Sequence, residues 1–333
     1  MSHKPTSRQI SNCRLSKLAL TLCIACATGI FFQQPFQQTG AAKAATPDTI
    51  SLDFPNNAVY GWLGTVSWPE SIVNRHLKVL KQIPIRGHMS LPANQTYSLH
   101  GSGVLCTMPQ LIDNIPSNLI SAINFDSTEL DDAGTKYLKR FTHSLSFSME
   151  GTDTGDSALE VAASMPELKR LVLAHTMISG RNFNLLAKLK KLEYVDISNN
   201  MLIPGAMRYF AELTAIKYLD LRRLQLRDND LSVLKNMPNL TRLRLSENNY
   251  LTDKCLETLS ALKSLKDVDI CSTKITAHAL INKMPPKLHN LLIVKGQFSQ
   301  ADIKALLKFR PDLVLTQNDL DSKADPLIFS PLH

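Results

Sequence analysis

From about Ile120 onward the chain repeats one short apolar pattern every 24 residues, and that period restricts what it can fold into. The pattern is L-x-x-L-x-L. Its central residue falls at Ile123, Phe147, Leu171, Val195, Leu219 and Leu243, then with small slips at Val268, Leu291 and Leu313. A unit of this length cannot bury its own apolar face and must stack on its neighbours, so a fixed period in the twenties signals a solenoid. One array then absorbs most of a length of 333 residues that would otherwise suggest two or three globular domains.

The anchors come in sets: Leu168, Leu171 and Leu173; Leu192, Val195 and Ile197; Ile216, Leu219 and Leu221; Leu240, Leu243 and Leu245. Leu265, Val268 and Ile270 follow, then Leu288, Leu291 and Ile293. The last two members of each set are two residues apart, which puts them on one face of a short strand. Five residues past the central anchor stands Thr128, Thr152, Thr176, Asn200, Asn248 or Thr273, a side chain able to pair backbone groups of the adjacent turn. In the second half of each unit the apolar spacing becomes three, as in Leu231, Leu234 and Met237, Leu256, Leu259 and Leu262, and Ile303, Leu306 and Phe309. That is the stripe of a short helix. Thr252 or Asp253, Thr276, and Ser299 with Asp302 supply N-caps, and Pro166, Pro238, Pro285 and Pro311 mark ends. The expected fold is an α/β solenoid, with parallel strands on its concave side and short helices on its convex side.

The units Met165–Ile178 and Leu265–Thr276 resemble those of leucine-rich repeat proteins. Thr in place of the commoner Asn, followed by Ile-Thr or Leu-Thr-Asp, is similar to the ribonuclease-inhibitor-like and F-box-type branch. The resemblance covers residues 120–316. It implies the solenoid fold but leaves function open, since such repeats serve receptors, adaptors, inhibitors and structural proteins.

Stepping back one period from Ile123 gives Leu99, with Thr96 and Gly101 at the other anchor positions, so a degenerate first repeat is expected there. Residues 46–118 hold both tryptophans, Trp62 and Trp68, and a helical-looking stretch Ser71–Gln82. They read as an N-terminal cap over the edge of the array, with a small separate binding module as the alternative. Residues 119–318 are the repeats and 319–333 a polar tail whose Leu327 and Phe329 are candidates to cover Leu292 and Val314.

Residues 1–45 carry five bases and no acid, and Leu18–Phe32 is an apolar or small-residue run of 15. That fits a signal peptide and falls short of the ~20 residues of a spanning helix. Ala42-Lys-Ala44 offers a cleavage site, predicting an exported protein beginning near Ala45, with a membrane anchor as the alternative if the leader stays uncleaved. Without the leader, 32 bases face 29 acids. That balance argues against nucleic acid as partner. Beyond the leader Cys106, Cys255 and Cys271 form no ligand spacing, and none of the nine histidines sits in a metal motif. No nucleophile elbow, phosphate loop or dinucleotide fingerprint is present, so neither enzyme activity nor a cofactor is expected. The acidic string Asp126–Asp132 falls at a strand-to-helix turn, where capping is the better reading than calcium binding.

Residues flanking the central anchor point away from the core. In mid-array these are Arg170, Tyr194, Asp196, Tyr218, Asp220, Arg242 and Arg244, with Arg222 in a further column. Tyr and Arg are the types enriched at interface hot spots. With strands about 4.8 Å apart, Tyr194 should stack on Tyr218 and Asp196 should adjoin Asp220. These eight residues are the expected partner-binding site on an exposed concave surface, where Tyr218→Ala with Arg244→Ala would barely change stability. The expected function is binding of a protein or other macromolecule. The alternatives are a structural cell-envelope role, an effector or ubiquitin-ligase-type adaptor, and ordinary solvated Arg–Asp pairs with no partner.

Overall fold

The computed structural model describes residues 49–67 and 78–319. The leader, Trp68 and the tail beyond Asp319 lie outside the described residues. Ten strands form a continuous parallel ladder: β5 (Tyr97–Gly101), β6 (Ile120–Asn124), β7 (Ser146–Ser148), β8 (Arg170–Val172), β9 (Tyr194–Asp196), β10 (Tyr218–Asp220), β11 (Arg242–Arg244), β12 (Asp267–Asp269), β13 (Asn290–Val294) and β14 (Val314–Asn318). Before them in the chain, β2 (Gly61–Ser67) runs antiparallel to β5, and β3 (Lys78–Pro84) antiparallel to β2. A separate antiparallel pair, β1 (Thr49–Asp53) with β4 (His88–Pro92), buries Leu52 and Leu91 in the main core.

The register follows the period. Phe147 faces Leu171, Leu171 faces Val195, Val195 faces Leu219, and Leu219 faces Leu243. The slipped anchors Val268 and Leu291 continue the same column. These residues, with the other two members of each set, belong to one buried cluster extending from Leu52 to Leu313. Six of the strands, β7 to β12, are only three residues long, so the chain leaves the sheet promptly to build the opposite layer.

Both ends of the ladder correct the spacing rule. In β14 it is Leu315, not Leu313, that faces Leu291, which restores the step of 24; Leu313 is buried in the preceding turn and Val314 is 48% exposed. In β5, Leu99 faces Ile123, but a bulge between Tyr97 and Ser98 sets Tyr97 against Ile120 and buries it, while Thr96 is exposed. The helical-looking stretch Ser71–Gln82 does not hold over its described part. Residues 78–84 are strand, because Val79 and Ile83 pair with Val66 and Leu63 across β2 and β3.

The helical layer is tighter than an α-helix in most repeats. Phe183–Lys188, Ala206–Glu212 and Asp228–Asn236 are 3₁₀ helices, whose three residues per turn keep Leu231 and Leu234 in line over the core. Gln300–Phe309 is α-helical, with a capping box between Ser299 and Asp302. There, each step of three lags the turn by about 60°, so Ile303 and Leu306 are buried while Phe309 is 52% exposed.

Aspartates stitch neighbouring repeats at the helix starts. Asp228 accepts from the Thr252 backbone N–H at 2.8 Å and its hydroxyl at 2.7 Å, and Asp253 does the same for Thr276 at 2.7 and 3.0 Å. Asp156 holds Ser179 in the same way, and Asp132 accepts from Gly155 N–H and the Ser157 hydroxyl. In the string Asp126–Asp132, Asp131 caps its helix by accepting from Gly134 N–H at 2.8 Å, the role expected of it.

Candidate functional site

Each strand is followed by a turn whose polar residue fixes where the next side chains point. The Oγ1 of Thr128, Thr152, Thr176 and Thr273 donates to the carbonyl three residues back, at 2.7–3.0 Å. The two asparagines do more. Asn248 donates to the carbonyls of Leu245 and Leu221, both at 2.8 Å, and accepts from the N–H groups of Leu224 and Leu226 at 3.1 and 3.0 Å. Asn200 likewise bonds Ile197 O and Leu173 O and accepts from Thr176 N–H. At Asn200 and Asn248 one side chain thus satisfies backbone groups of its own turn and of the repeat before it, within a parallel ladder over one main apolar core. The fold is a leucine-rich repeat solenoid.

Asn248→Ala strips partners from four backbone groups, and unmet buried groups cost about 1–3 kcal/mol each before relaxation and water entry. The expected net loss is about 2–3 kcal/mol by urea unfolding. An unchanged midpoint would contradict the bridging role.

On the concave face of the solenoid the flanking residues stand in register. Tyr194 and Tyr218 stack with ring centroids 4.2 Å apart and planes 2° from parallel. The Arg170 guanidinium lies over the outer face of Tyr194, 5.0 Å from its centroid, and its Nη1 donates to Ser146 Oγ at 3.3 Å. Asp196 adjoins Asp220, and Asp220 adjoins Arg244. Asp220 is gripped by Arg222 Nε at 2.8 and 3.0 Å and approached by Arg244 Nη1 at 3.4 Å. Arg244 Nε reaches Asp269 at 3.4 Å, and Arg242 Nε donates to Asp267 at 2.7 Å. All eight residues singled out from sequence therefore lie together on four adjacent strands, β8 to β11, and the turn after β10.

Their exposure differs from expectation. Tyr194, Asp196 and Asp220 are 0% exposed, and Tyr218, Arg170 and Arg244 between 2% and 5%. Only Arg222 and Arg242 keep partly open side chains, at 22% and 12%. The facing is as read: Val172, Ala174, Tyr194 and Tyr218 form a cluster distinct from the main core. Strands in strict register bring ring against ring and guanidinium against carboxylate, contacts that contribute to this burial and that alternation along one strand does not reveal. Leu292 is likewise fully buried, whereas Val314 is 48% exposed.

One corner of this array is unsatisfied. Asp196 Oδ1 accepts from Ser198 N–H at 3.0 Å and its hydroxyl at 2.6 Å, but Asp196 Oδ2 and Tyr194 Oη are buried with no hydrogen-bond partner. Burial, then the adjacent Asp220, raise the Asp196 carboxyl to about 7, against opposing contributions from Ser198 and Arg222. Burial, with Tyr218 and Asp196 beside it, pushes the Tyr194 hydroxyl well above its usual value.

A carboxyl that holds its proton to about pH 7 when folded, but only to about 4 when unfolded, makes the folded state the stronger proton binder between those values. Its contribution to stability is intact below about pH 4 and is lost as pH rises through about 7. Asp196→Asn removes that penalty and keeps an acceptor for Ser198. The variant is expected to be about 2 kcal/mol more stable than the parent at pH 8, with the difference shrinking towards zero at pH 4. A constant difference across that range would contradict the assignment.

Sequence reasoning passed over the early strands. There a small cavity opens beside Arg170, lined by Ser98, His100, Asn124, Asp126 and Ser148. Its polar atoms are bonded to one another: Ser98 to His100 at 2.8 Å, Asn124 to Asp126 at 2.7 Å, and Ser148 to Asp126 at 2.6 Å. Burial lowers the His100 pKa. The signal was available in the same two columns, as a run of small polar residues ahead of the bulky ones.

No family model matches the sequence, and no curated protein matches it. Among solved structures, an internalin from Listeria monocytogenes is 21% identical over 60% of this chain and 59% of that chain, with a TM-score of 0.47. Internalin C2 from the same organism is 20% identical over 59% of this chain and 80% of that chain, also at 0.47. The chain thus spans about 59% of the length of the first of these.

Proposed function

We propose that this chain is an exported, non-enzymatic leucine-rich repeat protein that binds a protein or other macromolecular partner through its concave face. The site is built from Arg170, Tyr194, Asp196, Tyr218, Asp220, Arg222, Arg242 and Arg244. One observation carries the reading: within an otherwise interlocked array, Tyr194 Oη and Asp196 Oδ2 have unmet hydrogen-bonding capacity. Such atoms cost about 1–3 kcal/mol each and return nothing to the fold, which fits groups retained for a ligand. The near-neutral charge of residues 46–333 speaks against nucleic acid as that ligand.

A structural role without a ligand is the second reading, favoured by the mutual pairing of Arg222 with Asp220 and Arg242 with Asp267. Capture of a partner on the full chain, repeated with Asn124→Arg plus Asn290→Arg, separates the two. Asn124 and Asn290 donate to Asp126 and Asp267, and arginine can keep those bonds while planting bulk on either side of the patch. The concave reading expects capture to weaken at least 10-fold. Equal capture would move the site elsewhere, with the half-exposed Trp62 next in line.

The organisation proposed around the repeats is a signal peptide over residues 1–45, an N-terminal cap over 46–118 and a tail over 319–333. N-terminal sequencing of the exported protein is expected to start near Ala45. A membrane-held chain that retains Met1 would replace the cleaved form with the anchored one.

A further inference from the structure

We infer that the Asp196–Tyr194 corner of the concave face is the subsite for a basic side chain, arginine above all, presented by a protein partner. The inference rests on the concave-binding reading and names its chemistry. Both atoms lacking a bond can accept from N–H groups: Asp196 Oδ2 is carboxylate oxygen only when ionised, and Tyr194 Oη has open lone pairs. A guanidinium carries several N–H donors in one plane and can serve both at once, which a single hydroxyl or amide N–H cannot.

Charge matching leads to the same group. Asp220, Asp267 and Asp269 each hold an arginine, whereas Asp196 forms no ion pair among the described residues. The array is therefore short of a cation at one position. The rings leave only an edge-on approach, because Tyr194 is covered by Tyr218 on one side and by Arg170 on the other. Arg222 is the most open ionic group of the array.

Besides burial, the groups that set the charge state of Asp196 are Asp220 and Arg222 from β10 and its turn and Ser198, which donates to it, while Arg170 and Tyr218 on the flanking strands act on the neighbouring Tyr194 hydroxyl. Because the carboxyl titrates at about 7, affinity for a cation falls as pH falls through that value.

The test is fluorescence anisotropy of the full chain with three labelled 12-residue peptides, alternating Gly-Ser with Arg, with Gln or with Glu. The Arg peptide is expected to bind at least 10-fold more tightly than the Gln peptide at pH 8, and the Glu peptide most weakly. That preference is expected to disappear in Asp196→Asn, to fall about 5-fold in Tyr194→Phe, and to shrink on moving from pH 8 to pH 6. An Arg peptide that binds no better than the Gln peptide, or equally well in Asp196→Asn, overturns the cation subsite. If partner capture is still lost in Asn124→Arg plus Asn290→Arg, the concave reading survives that failure. Capture indifferent to every one of these substitutions sinks both.

Discussion

Replacing Leu219 with aspartate is expected to unfold several repeats together. Leu219 is 0% exposed and lies mid-column, between Val195 on β9 and Leu243 on β11. Its column neighbours are apolar members of the main core, so a carboxylate there is buried without a cation beside it. An uncompensated charge in such a place costs several kcal/mol, and here the expected loss exceeds about 5 kcal/mol, beyond the ordinary range of point substitutions. Because each unit is stabilised only through its neighbours, the damage spreads along the stack. Leu243→Asp, one strand on, is expected to behave in the same way. Urea unfolding followed by circular dichroism reads the effect, and an unchanged midpoint for either variant would remove these residues from the core.

Much of the fold is legible because the period constrains it twice. The step of 24 residues sets which anchors share a column, and the spacing of two within a set decides which face is buried. Phe147, Leu171, Val195, Leu219 and Leu243 accordingly meet in register. The turn residues are legible for a different reason: an Asn or Thr at one fixed offset is the group that can pair the backbone there, as Asn248 does four times. Periodicity fails at the ends of the parallel ladder, where a strand has a repeat on one side only. At Tyr97 a bulge shifts the register by one residue, at Leu315 the anchor lies two residues past the apolar residue that looked the part, and residues 78–84 become strand by pairing with β2.

The site was legible in direction but not in depth. Alternation along a strand says that Tyr218 and Arg244 point away from the core, and they do. It carries no information on how closely side chains from neighbouring strands shield one another. That depends on ring stacking at 4.2 Å and on ion pairs that link β10, β11 and β12. The unmet atoms of Tyr194 and Asp196 were also beyond reach of sequence, because Tyr218 and Asp220 repeat the same residue types one strand away and find partners. What separates the two pairs is Arg222, one column further on.

Burial reverses the expectation for Arg244. On an exposed surface its loss would fall within about 0.5 kcal/mol. In the structure Arg244 is 2% exposed and stands between two buried carboxylates, Asp220 at 0% and Asp269 at 2%. Its Nη1 and Nε approach them at 3.4 Å each. Arg244→Ala leaves Asp220 to Arg222, but leaves Asp269 with no cation, only neutral donors, the Ser246 hydroxyl and the Cys271 N–H and thiol. Removing one partner of a buried ionic group costs about 3–5 kcal/mol, most of it the burden of the charge left behind. The expected destabilisation of Arg244→Ala is therefore about 3–5 kcal/mol in urea. Arg244→Met separates charge from packing, since it fills similar volume without a cation, and is expected to lose nearly as much. Adding Asp269→Asn to Arg244→Met removes the orphaned charge and is expected to recover about half of that loss, a coupling that independent surface sites would not show. A loss below about 0.5 kcal/mol for Arg244→Ala would return this face to solvent and undo the argument that its side chains are held as one interlocked array.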